Sequence, residues 1–269
     1  MIYRNEKIKN ISFPLGGIGT GCIGLAGNGG LVDWEIFNRQ NKNTFNGYSH
    51  FAIKVKTKEG SLIKVLQGDT AENLMGMHDH SDEWSSFGFG PHKCSMAGYP
   101  HFKNTEFESS FPFATVRLWE EGFPIKARLR AFNPFIPHDE YNSSLPAAFF
   151  EWEIETESEE PLEFDIAFSI QNPAKSSVNE AVSFGDFGGV FFKNAAEGED
   201  SPEYFDLCIL TDSKERLLQP YWYRGKLQDS SISYWRDFCG DSMPERQYTN
   251  AGRCDHGTVV ARGRVSKGV

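Results

Sequence analysis

The sequence lacks any apolar run near the ~20 residues that a membrane-spanning helix requires, so no spanning segment is expected. It is short of cysteine, with Cys22, Cys94, Cys208, Cys239 and Cys254 set far apart and odd in number. No Cys-x-x-Cys occurs, and no Cys/His spacing fits a zinc finger, so neither a disulfide framework nor a structural metal is expected. Reduced thiols in a cytoplasmic protein are the simplest reading. The first ten residues are polar and charged, so no secretory signal is expected either. Positive charge is in deficit: 27 Lys and Arg face 37 Asp and Glu, for a net charge of -10. The phosphate backbone repels a net anion, and no basic patch offsets this, so nucleic acid is not an expected partner. Long helical patterns are missing. So are a Gly-x-Ser-x-Gly elbow and a Gly-x-x-x-x-Gly-Lys-Ser/Thr phosphate loop.

What is present is a period of two. Ile125, Ala127, Leu129 and Ala131 alternate with Lys126, Arg128 and Arg130. Phe150, Trp152 and Ile154 alternate with Glu151, Glu153 and Glu155, and Leu162 to Gln171 continues in the same way. Successive side chains of a strand point to opposite faces, so each stretch predicts a strand with one buried face. Phe51–Lys56, Leu62–Leu66, Phe113–Trp119, Tyr204–Thr211 and Thr258–Val265 are further strands by the same reasoning. With 23 Phe to fill a wide core, the pattern predicts an all-β fold, a large antiparallel β-sandwich of two packed sheets. The irregular stretch Gly68–Phe111 is long for a compact domain, and such loops are often functional.

Five features could carry chemistry. Gly19-Thr20-Gly21-Cys22-Ile23-Gly24 matches the dinucleotide fingerprint, but a strand before it and a helix after it are required. Phe13-Pro14-Leu15 is a poor strand, and Gly27-Asn28-Gly29-Gly30 opposes a helix, so a glycine-rich hairpin or close backbone packing between sheets is expected instead. Asp33 and Glu35 at i and i+2 share one face of a strand, ~7 Å apart. That spacing suits a glycosidase carboxylate pair, yet such a pair must flank the scissile bond. His78, Asp79, His80, Asp82, Glu83, His92, Cys94 and His101 make a ligand-rich loop, which as a metal site needs ligands converging from elsewhere. The Lys126–Arg130 and Glu151–Glu163 series are expected to be solvated strand faces.

Ser12-Phe13-Pro14-Leu15-Gly16-Gly17-Ile18-Gly19-Thr20-Gly21, followed by Gly30-Leu31-Val32-Asp33-Trp34-Glu35-Ile36-Phe37-Asn38-Arg39, resembles the opening of glycoside hydrolase family 116. That family holds bacterial β-glucosidases and the non-lysosomal glucosylceramidase (bile acid β-glucosidase). Phe51-Ala52-Ile53, Val65-Leu66-Gln67-Gly68, Gly98-Tyr99-Pro100-His101-Phe102 and Phe111-Pro112-Phe113-Ala114 follow in the family's order. The sharpest match is Ala131-Phe132-Asn133-Pro134-Phe135-Ile136-Pro137, completed by Asn142-Ser143-Ser144-Leu145-Pro146-Ala147. Tyr234-Trp235-Arg236-Asp237-Phe238 is similar to a late segment of the same domain.

The resemblance implies an N-terminal β-sandwich spanning residues 1–269, cut before its last strand or strands. Its partner would be the enzyme's own C-terminal (α/α)6 barrel, which holds the Glu nucleophile and the Asp acid/base for retaining hydrolysis of β-glycosides. Neither catalytic motif is matched here, so no catalytic residue is assigned. The expected substrate-side residues are Asp33, Trp34, Asn38 and Arg39, with Trp34 more fit for the core than for stacking on a sugar. The substrate would be a β-glucoside or a glucosylceramide-like molecule. No cofactor and no metal are expected. Two other readings stay open: a freestanding carbohydrate-binding or interaction module, and a small hydrolase using Asp33 and Glu35.

Overall fold

The computed structural model describes residues 1–37, 40–42, 44–69, 92–196, 198–201, 204–226, 229–240 and 243–268. Its first strands are β1 (Ile2–Arg4), β2 (Ser12–Leu15), β3 (Cys22–Ala26), β4 (Leu31–Glu35), β5 (His50–Thr57), β6 (Gly60–Val65), β7 (Asn104–Ser110) and β8 (Phe113–Trp119). Then come β9 (Ile125–Phe132), a one-turn helix α1 (Glu140–Ser143), β10 (Phe149–Thr156), β11 (Leu162–Gln171), β12 (Ser177–Phe184) and β13 (Phe187–Asn194). The chain closes with β14 (Asp206–Thr211), β15 (Arg216–Gln219), helix α2 (Asp229–Cys239) and β16 (His256–Val265). The chain divides into two compact units, Met1–Phe45 with Val65–Ile154, and Asn46–Lys64 with Glu155–Val269.

The first unit holds a five-stranded sheet in the order β1-β7-β8-β9-β10 and a three-stranded sheet β2-β3-β4. Alternation in β8 and β9 turns Val116, Leu118, Ile125 and Leu129 inward, where they are buried. On the other face the basic and acidic series pair across strands, Arg128 with Glu153 at 3.1 Å and Arg130 with Glu151 at 3.6 Å. Arg117 reaches Glu106 at 2.8 Å and Glu108 at 2.9 Å. The exposed pairs among these, Arg128–Glu153 and Arg130–Glu151, contribute little stability each. They do balance the charge of the basic strand, which removes it as a phosphate-binding stripe. Ser12–Leu15 is a strand in spite of Pro14. It forms an edge of its sheet, where a missing N–H leaves no ladder bond unmade.

The second unit holds a five-stranded sheet in the order β15-β16-β11-β5-β6 and a meander β12-β13-β14. β11 lies between two antiparallel neighbours, paired from Leu162↔Val265 to Gln171↔His256 on one side and with β5 on the other. Here the expectation of a single buried face is too simple. Asp165 and Ser169 on the polar face are also buried. Helix α2 is the cause. Its Tyr234 and Phe238 are fully buried, Lys54 of β5 donates to the Gly240 carbonyl at its end at 2.7 Å, and the same ammonium lies 3.2 Å from Asp165. Ser169 and Thr258 hydroxyls pair at 2.8 Å. Every polar group named on that face thus has a partner, as burial demands.

The all-β class is therefore as expected. The strands, however, are distributed over four sheets of five, five, three and three rather than gathered into two. The short strands explain this locally. β2, β3 and β4 have only four or five residues. A register shift between Cys22 and Gly24 marks a bulge that ends regular pairing.

Candidate functional site

Three stretches distant in sequence meet at Asn133 in the first unit. Its carboxamide oxygen accepts from the Gly16 N–H at 2.6 Å, and its amide donates to the Pro14 carbonyl at 2.9 Å. The Ile18 N–H donates to the Ser143 carbonyl at 2.8 Å. The Ser143 hydroxyl in turn ties to the N–H and the carbonyl of Ile136, both at 2.9 Å. The Ser12–Gly21, Ala131–Pro137 and Asn142–Ala147 stretches are thus one hydrogen-bonded structure. At Gly17 a Cβ would collide with the Leu145 carbonyl, and Gly21, at φ +85°, has the Glu35 carbonyl where a Cβ would stand.

Those contacts explain the Gly-x-Gly-x-x-Gly match. It spans the turn of an antiparallel hairpin, with Leu15 opposite Ile23, and a strand follows it where a nucleotide site needs a helix. Gly21 and Gly24 serve close packing, while Gly19, at φ +75° with open space around it, serves the turn.

Beside the hairpin lies a cleft of about 210 Å³, lined by Gly17, Ile18, Cys22, Phe111, Asn133 and Phe135 among others. Its rim is apolar and open to solvent: Ile18 is 57% exposed, Phe111 61% and Phe135 37%. The Phe111 and Phe135 rings meet edge-on at 5.2 Å, and Ile136 and Leu145 are exposed on the segments tied to them.

On the neighbouring strand, Asp33 and Glu35 both turn to one lysine. Lys42 Nζ lies 2.6 Å from Glu35 Oε2 and 3.7 Å from Asp33 Oδ2. Asp33 sits in the bulge with φ +50°, a left-handed conformation that Asp tolerates better than most residues. Its carboxylate accepts from the Ser12 hydroxyl at 2.7 Å. The Lys42 hydrogen bond holds the Glu35 carboxyl below the usual carboxylate range, and the same bond raises the lysine. Burial, then the charge of Glu35, pushes the Cys22 thiol up, which disfavours the nucleophilic thiolate. A glycosidase general acid needs a raised carboxyl, and Glu35 is shifted the other way.

Asp33 is only 7% exposed and Trp34 only 4%, so the tryptophan is a core residue. Asn38 and Arg39 lie outside the described residues, as do His78, Asp79, His80, Asp82 and Glu83. His92 stacks on Phe45 at 4.8 Å and its Nδ1 accepts from the Cys94 N–H, while His101 Nδ1 meets the Tyr99 carbonyl at 2.6 Å. Among the described residues no group of three or more His, Cys, Asp or Glu converges as a metal site. All five cysteines are free thiols. Sequence reasoning missed Lys42 and Ser12, whose partners lie on other segments and leave no periodic signal.

The fold and these contacts define a mainly β domain whose motif residues hold its own backbone together. A family model described as beta-glucosidase 2, glycosyl-hydrolase family 116 N-term, matches residues 12–265. The chain belongs to this family, the N-terminal domain of glycoside hydrolase family 116. It is therefore a glycosidase-associated domain, and its family implies a separate catalytic domain as partner.

Proposed function

We propose that the chain is the non-catalytic N-terminal domain of a retaining β-glycosidase, of the β-glucosidase or glucosylceramidase kind, working in the cytoplasm. In this reading residues 1–269 form one sandwich-type domain. It packs on the enzyme's own (α/α)6 catalytic barrel and supplies the Asp33–Arg39 segment near the cleft for a β-glucoside or glucosylceramide-like substrate. The observation that carries the reading is the family match over residues 12–265. The apolar rim of Ile18, Phe111 and Phe135 supports it, because exposed contiguous apolar surface marks interaction sites. We take that rim as the docking face. Among the described residues, no helix is long and apolar enough to cross a membrane.

Two measurements test this. The purified chain should give no turnover of an aryl β-glucoside, and clear turnover would refute a non-catalytic role. In the complete hydrolase, Phe111→Asp should lower the thermal inactivation midpoint. Phe187→Asp, at a phenylalanine also exposed but in the second unit, is the control. Equal effects of the two would remove the rim as the docking face.

A further inference from the structure

The backbone leaves β4 at Glu35 and is caught again at Asn41, Lys42 and Thr44. The Asn41 amide donates to the Trp34 carbonyl at 3.0 Å, and its backbone N–H to Glu35 Oε1 at 3.4 Å. The Thr44 hydroxyl donates to the Asn41 carbonyl at 2.6 Å, and the Asp33 N–H to the Thr44 carbonyl at 3.0 Å. Lys42 closes the set by bridging Glu35 and Asp33. Both ends of the segment are therefore tied to one short stretch of strand.

The charges explain why the bridge is a lysine. Asp33 and Glu35 are two residues apart, and both direct a carboxylate oxygen to the same point. Without a cation there, the two negative charges would repel each other. Asp33 is buried and Glu35 half-buried, so neither can turn away freely into water. A lone surface pair would matter little, but this ammonium offsets a repulsion within the bulge as well.

Resting on the proposed function, we infer that Lys42 is a positioning residue. With Glu35 and Asp33 it clamps the base of the segment after β4 and so sets how that segment meets the substrate. Asp33 and Trp34 then act by holding the segment, not by touching sugar.

The test uses the complete hydrolase with Lys42→Met and Lys42→Arg, followed by hydrogen exchange and by kinetics on an aryl β-glucoside. Lys42→Met should speed amide exchange at Asp33 and Asn41, the two amides bonded within the clamp, by about fivefold, the scale of one or two lost ion pairs. Exchange in β8 should not change. KM should rise about threefold or more with kcat nearly constant, as expected when positioning of bound substrate is lost. Lys42→Arg, which keeps the cation, should restore both readouts. Unchanged exchange in Lys42→Met overturns the clamp. Faster exchange with an unchanged KM overturns the positioning role. Failure of the functional reading shows separately, as turnover of the aryl β-glucoside by the purified 269-residue chain.

Discussion

Mild acid is expected to destabilise the second unit through His256. Its ring is buried, stacks on Trp222 at 4.5 Å, and accepts the Tyr48 N–H on Nε2 at 3.0 Å. Accepting that bond leaves Nε2 without a proton. Burial, with His50 nearby adding repulsion, pushes its pKa down from 6.5 to about 3, and the bond to the Cys254 backbone opposes this. Unfolding returns the ring to its ordinary value, so the unfolded chain binds the proton first. The folded pKa is the lower one. The contribution to stability is therefore complete above about pH 6.5 and is lost as pH falls toward 3.

A gap of about 3.5 units, at about 1.36 kcal/mol per unit, corresponds to roughly 5 kcal/mol in all. By pH 5 about 2 kcal/mol of it should be gone, while ordinary carboxylates have hardly begun to protonate. Urea denaturation from pH 7.5 to pH 5 reads this directly. His256→Gln keeps an acceptor for the Tyr48 N–H and removes the titration. It should be less stable than the parent at pH 7.5, and its stability should fall by less than half as much on acidification. Parallel stability curves for the two proteins would refute the argument. Tyr48 and Trp222 pack on the ring and His50 acts on it through charge, so His50→Gln measured in the same way separates the share of the second imidazole.

Two other perturbations follow from the packing. Lys54→Met should destabilise by about 3 kcal/mol in a urea titration, because it leaves the buried Asp165 carboxylate without its nearest cation. Adding Asp165→Leu should recover much of that loss, and no recovery would count against the pairing argument. Asn133→Ala should cost about 1–2 kcal/mol, since the half-buried Gly16 amide loses its acceptor while water takes over at the exposed Pro14 carbonyl. A thermal melt should show a midpoint lower by a few degrees.

The strands legible in sequence were those with one polar face and one apolar face. Phe113–Trp119 appears as β8 with the same bounds, and Leu162–Gln171 appears as β11. Others were hidden by polar residues doing buried work. In β7 Glu106 is buried on the face opposite Phe107, where Arg4 and Arg117 stabilise its charge, so no apolar alternation marks the strand. β12 and β13 pair over eight residues each, but Gly188 and Gly189 and the exposed Phe184 and Phe187 blur their period. Helix α2 buries only Ser231, Tyr234 and Phe238 along three turns, too sparse a stripe to stand out. Where both faces are covered, as in β11, alternation reports polarity and not exposure.

The acidic strand shows where sequence reasoning about a site reaches its end. A period of two correctly places Asp33 and Glu35 on one side, because both meet Lys42. It cannot show the bulge, since nothing in the sequence requires a non-glycine residue at φ +50°. Nor can it show the cation, which arrives on the next segment. Yet the cation decides the chemistry. Two free carboxylates at that spacing would suit acid and base roles. Two carboxylates sharing an ammonium have instead a lowered acid at Glu35 and a buried acceptor at Asp33. The same residues that invite a catalytic reading from spacing are thereby turned to holding backbone. Glu35, held below the usual carboxylate range by that ammonium, is poorly suited to donate a proton as a general acid.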